Sequence, residues 1–135
     1  MKIKTFADFL QAARAQDQPQ RLLFVFTHAQ LPDGASDQQR ARFANGEGGA
    51  LAPLMCVEKT VDEVPSFASL TAETASIPQP WTIVFAAALG RQNGAVPSSQ
   101  DAMMPLQNMI DAIIAGDQRG MLPFDRDGDP VVLSA

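Results

Sequence analysis

The residues able to do chemistry are few: the 135-residue chain has one histidine, one cysteine and no tyrosine. His28 follows the apolar run Leu22–Phe26, and an imidazole can titrate near neutrality. Lys59 follows a second apolar run, Ala50–Val57, and Arg91 a third, Trp81–Leu89. If these runs are neighbouring parallel strands, His28, Lys59 and Arg91 meet at their carboxyl ends. Open α/β sheets bind ligands on that rim. Arg91 would there grip a carboxylate or phosphate. These three are the candidate ligand-binding residues, and the alternative is that all are solvated strand ends.

The other chemical candidates are weaker. Asn45–Gly49 is glycine-rich, but it leads from a helix into a strand, the reverse of a phosphate loop, and lacks the accompanying Lys and Ser/Thr. Cys56 has apolar neighbours, Leu54, Met55 and Val57, so a buried structural thiol is expected. Asp125, Asp127 and Asp129 surround Gly128. A calcium loop of the EF-hand type needs ligands over twelve residues and a closing Glu, so this segment reads as a tight turn and no metal site is expected. Met55 and Met109 read as core filling, while Met103 and Met104 lie where a loop meets a helix.

The elements that must position these residues alternate. Thr5 caps a helix carrying Phe6, Phe9, Leu10 and Ala13 at helical spacing, with Asp8 closing a weak capping box. Leu22–Phe26 is apolar on both faces, as in a strand covered on both sides. Ser36 and Gln39 cap a short polar helix to Ala44. Pro53 inside the second run marks an edge strand or a bulge. Ser66 caps a short helix with Phe67 and Leu70 inward. Ser98 or Ser99 starts the longest helix, which runs to about Ala115 and stops at Gly116. Its inward stripe is Leu106, Met109, Ile110, Ile113 and Ile114. Pro105 is awkward there and marks an alternative first turn. Met121–Phe124 and Val131–Leu133 flank a hairpin turn in which Gly128 supplies the positive φ.

The order predicts one α/β domain over residues 1–135. It implies a four- or five-stranded mixed sheet with three or four helices, the first three strands parallel and a C-terminal β-hairpin.

Composition narrows the partners. The net charge is −5, and the Lys and Arg residues are scattered, so neither a nucleic acid nor an anionic membrane is an expected partner. The longest apolar run falls short of the roughly 20 residues that span a bilayer. Met1–Thr5 carries charge but no apolar core follows, so no secretory leader is expected. A lone cysteine fits a reducing compartment, hence a cytoplasmic protein.

Leu23–Thr27, Gly46–Leu51, Pro53–Val57 and Phe124–Gly128 resemble segments of a family of short bacterial proteins that carry the label "ribonucleotide reductase subunit alpha". The resemblance covers most of the chain, but none of its segments is a catalytic motif. The reductase catalytic subunit is several times longer and needs several cysteines for its radical and reducing steps. With Cys56 alone, this chain is not expected to be that subunit.

The expected function is therefore a non-catalytic cytoplasmic binding or protein-interaction module, with no cofactor and with a protein partner or self-association. The alternative is a small enzyme or small-ligand-binding protein using His28 and Arg91. A convergent polar pocket at His28 would favour the alternative, and a flat apolar patch the first reading.

Overall fold

The computed structural model describes residues 3–16, 19–31, 34–45, 50–77, 80–90, 95–117 and 120–132. Helix α1 spans Phe6–Arg14 and starts where Thr5 accepts the Asp8 backbone N–H at 3.2 Å. Strand β1, Arg21–Gln30, follows, then helix α2, Asp37–Ala44, closed by the expected Ser36/Gln39 capping box. Strand β2 is Ala50–Thr60. A 3₁₀ turn at Val61–Glu63, helix α3 at Phe67–Thr71 and a second 3₁₀ turn at Ala72–Ser76 lead to strand β3, Ile83–Leu89. Helix α4, Ser99–Ala115, and strand β4, Leu122–Phe124, complete the described elements.

The four strands form one sheet in the order β2-β1-β3-β4, and every adjacent pair is antiparallel. This corrects the expected mixed sheet with parallel neighbours. The reason lies in α2. Its sequence, Asp37–Ala44, buries no residue, so it has no apolar face to lay on a sheet as a crossover helix would. β1 therefore turns back on itself as β2. β2 and β3 do run in the same direction, since both oppose β1, and the α3 segment is the crossover between them. The central strand β1 separates the pair.

β1 is buried on both faces, as its sequence implied. Leu22, Phe24 and Phe26 face α1 and pack with Phe6, Phe9, Leu10, Leu70, Trp81 and Phe124. Leu23 and Val25 face α4 and pack with Phe85, Ala102, Met109 and Ile113. The α1 face is rich in rings: Phe6 lies 4.8 Å from Phe67 and 5.3 Å from Phe124, centroid to centroid. Such tilted and edge-on pairs add to the burial of apolar area. Thr27, buried in β1, donates its hydroxyl to the Ile83 carbonyl at 2.8 Å, so it leaves no orphan polar atom.

Pro53 fits both readings of it. β2 is an edge strand, and its register against β1 slips between Phe26 and Thr27, leaving Leu54 as an extra residue beside Pro53. Cys56 departs from expectation: it is exposed. It pairs with Val25 and so shares the α4 face, but an edge strand has one flank that no neighbour covers.

Pro105 lies within α4 rather than at its start. Ser98 accepts the Asp101 N–H at 3.1 Å while Asp101 accepts the Ser98 N–H at 2.9 Å, and this reciprocal cap sets the helix start at Ser99, ahead of Pro105. Gly116 ends the helix at φ 79°, as expected. The C-terminal turn is tight, with Gly128 at φ 84° and its N–H on the Asp125 carbonyl at 3.1 Å. Its return leg meets β4 at a single bridge, Phe124 to Pro130, rather than as a second strand. Leu133 lies outside the described residues.

Candidate functional site

The antiparallel sheet separates the expected rim. His28 pairs with Ala52 and Lys59 with Leu22, so they stand six β1 positions apart, at opposite ends of the β1–β2 ladder. At roughly 3.4 Å per residue that is about 20 Å. Arg91 lies outside the described residues. The strand before it ends at Leu89, opposite Arg21, at the Lys59 end.

Lys59 is committed to structure. Its ammonium is 2.8 Å from the Glu73 carboxylate, which joins the end of β2 to the second 3₁₀ turn. That hydrogen bond is the main cause that raises the Lys59 pKa above its ordinary value; partial burial opposes it, and the Glu73, Glu63 and Glu58 charges add to the rise. Glu63 is held below the usual carboxylate range, because the Thr60 backbone N–H and hydroxyl donate to it at 2.8 and 3.0 Å.

His28 opens onto a shallow cleft of about 340 Å³ lined by Pro80, Trp81, Thr82, Asp125, Arg126 and Asp127. Its Nδ1 is 3.0 Å from the Pro80 carbonyl. The Arg126 guanidinium sits 5.6 Å from the centre of the Trp81 ring, a cation–π contact. Asp125, Asp127 and Asp129 bring carboxylate oxygens within 4.8 Å of one another. One Asp125 oxygen accepts the backbone N–H groups of Asp127 and Asp129, at 2.8 and 3.0 Å, so this carboxylate builds the turn. His28 and the acidic turn are each legible in the sequence, but their shared cleft is not. Only the strand order, with β4 beside β3, brings them together.

A second surface lies on α4. Ala102, Met109 and Ile113 are its buried side. Met103, Met104 and Ile114 are exposed at 68%, 70% and 66%. This corrects the expectation that Ile114 points inward. At 100° per residue, Ile110 and Ile114 return close to the line of Met103, while Ile113 lies a quarter turn away on the core side. The Ser98–Asp101 capping box was the signal that could have fixed this phase, because it makes Met103 and Met104 helical. The exposed stripe runs about 16 Å along the helix. Gln107 sits within it, its amide donating to Asp111 at 2.9 Å.

At its N-terminal end α4 is fastened to the sheet. Ser99 donates to Glu58 at 2.6 Å, and Glu58 pairs with Arg21 at 3.0 Å. The stripe is therefore displayed by a helix held by its cap, its core side and this ion pair.

Comparison of the chain with protein-family models, curated proteins and solved structures gives no match. No described helix is long and apolar enough to cross a membrane.

Proposed function

We propose that this protein is a non-catalytic, cytoplasmic interaction module that binds a protein partner through the outer face of α4. The observation that carries this reading is the exposure of Met103, Met104 and Ile114, with half-buried Ile110 in phase with Met103 and Ile114. Single exposed apolar residues are ordinary on a small domain. Met103, Met104 and Ile114, grouped on one rigid helix, leave their apolar surface in water unless something covers them. Methionine suits such a surface, because its unbranched, polarisable chain adapts to the partner's shape.

Two further observations support the reading. Of the strand-end residues of the enzymatic alternative, Lys59 is paired with Glu73, about 20 Å along the strand from His28, while Arg91 lies outside the described residues. Cys56 is exposed and is the chain's one cysteine, so copies in an oxidising compartment would be open to cross-linking through it. One thiol also leaves reductase chemistry without its reducing pair.

The test is a photo-crosslinking amino acid placed at Gln107, inside the stripe, or at exposed Gln38 on α2, in the producing cell. A discrete adduct from position 107 and none from position 38 is expected. Identical adducts from both, or none from 107, would remove the reading.

A further inference from the structure

We infer that the partner segment for α4 is a basic amphipathic helix, an inference that rests on the interaction reading above and names the chemistry of the occupant. Charge around the stripe selects this occupant. Helix α4 carries two ionisable side chains, Asp101 and Asp111, both exposed and both acidic. No Lys or Arg occurs in the sequence between Arg91 and Arg119. The last turn of α4 has no basic residue, so nothing on the helix offsets the partial negative charge of its carbonyl end. At the other end, the Arg21 guanidinium is already paired with Glu58.

At 100° per residue Asp111 falls between the lines of Ile114 and Met104, and Asp101 beyond Met104, so the outer face of α4 carries its negative charge beside the apolar residues. A helix with Leu-like anchors at i, i+3, i+4 and i+7 can bury its stripe against Met103, Met104, Ile110 and Ile114. Lys or Arg flanking those anchors would face Asp101, Asp111 and the carbonyl end, while acidic flanks would be repelled. A second copy of this chain is the poorer occupant. Each copy has net charge −5, and two α4 helices face to face would bring four carboxylates together with no cation from either helix.

Two fluorescein-labelled synthetic 18-residue helices test this: one with a Leu face and a Lys face, the other with Glu in place of Lys. Affinity is read by anisotropy, and location by the methyl resonances of the full chain labelled with [¹³C-methyl]methionine. The Lys helix should bind at least about tenfold more tightly than the Glu helix at low salt, with the gap closing as salt screens it. The Met103 and Met104 methyls should move, and those of Met55 and Met109 should not. Asp111→Asn should weaken the Lys helix about two- to fivefold, the value of one exposed charge pair.

The triple variant M103Q/M104Q/I114Q, which keeps the net charge, should abolish binding. Persistent binding to it would mean adventitious attraction of a cationic peptide to an acidic protein and would overturn the inference. Equal binding of both helices at the stripe would overturn the charge argument and leave the interaction surface standing. Binding of neither, or a dimer in sedimentation that buries Met103 and Met104, would also overturn it. The adduct from position 107 judges the interaction reading separately.

Discussion

The Gly128 carbonyl accepts the Phe6 backbone N–H at 3.0 Å, so the C-terminal turn closes the first turn of the first helix. The first N–H groups of a helix have no partner within it. Thr5 satisfies Asp8, and Gly128 satisfies Phe6 from more than a hundred residues away. The contact is also steric. A β-carbon at Gly128 would lie 3.3 Å from the Phe67 ring and 3.5 Å from the Phe6 β-carbon.

Gly128→Val is therefore expected to be strongly destabilising for two reasons. Its φ of 84° is left-handed, which strains a β-branched residue. The γ-methyls would also enter the Phe6–Phe67 contact. Together these should cost about 2–5 kcal/mol. Gly128→Ala should cost less, about 1–2 kcal/mol, mostly from the backbone. Thermal unfolding measures both, and a Val variant within about 0.5 kcal/mol of the parent would show the turn to be loosely packed.

Local signals in this chain were legible, and long-range pairing was not. The Ser36 and Ser66 caps, the Gly116 stop and the Gly128 turn each depend on a few neighbouring residues, and each is where the sequence put it; Ser98 is one of the starts the sequence left open for α4. The buried character of Leu22–Phe26 was equally plain. Strand direction was not, since an apolar run reads alike in parallel and antiparallel ladders. That ambiguity displaced the expected ligand rim, which needed the carboxyl ends of β1 and β2 on one side. Cys56 was misplaced for a similar reason: its neighbours are apolar, but burial on an edge strand depends on what covers the strand.

The Lys59–Glu73 pair predicts a loss of stability at high pH. The folded pKa of Lys59 is raised above its ordinary 10.5, so the pair's contribution is complete below that value. It disappears as pH rises through the higher folded pKa. Lys59→Met should cost about 0.2–1 kcal/mol at pH 8, the range for exposed pairs. The difference from the parent should vanish in strongly alkaline solution. A constant difference across that range would assign the cost to lost packing. Glu63 acts with the opposite sign: its contribution is present above the ordinary carboxylate value of 4.5 and is lost as pH falls through the lowered one.

The acidic turn predicts indifference to calcium. Asp125 spends one oxygen on two backbone N–H groups, while Asp127 and Asp129 are exposed to water. Three carboxylates on five residues give few of the six to eight oxygens that calcium takes. The melting temperature should be the same with 1 mM EDTA and with millimolar calcium. A calcium-dependent rise would reveal binding to the folded state and make the turn a metal site.

The exposure of Cys56 predicts fast labelling of the native protein. The thiol lies on the outermost strand, at a position whose partner Val25 is fully covered by β1's neighbours while Cys56 itself faces solvent. A thiol reagent should thus reach it without opening the sheet. The rate at neutral pH should be near that of a small-molecule thiol, and denaturant should raise it little. Replacement by Ser should change stability by no more than about 0.5 kcal/mol, as for surface sites away from caps and cores. A labelling rate that rose steeply with denaturant would mean that the edge of β2 is covered in solution. That result would have a specific reading, because Cys56 shares the α4 face of the sheet. Self-association across α4 and β2 would shield both surfaces at once, and dilution would then speed the labelling. Labelling independent of protein concentration, at the rate of an open thiol, is the expected outcome.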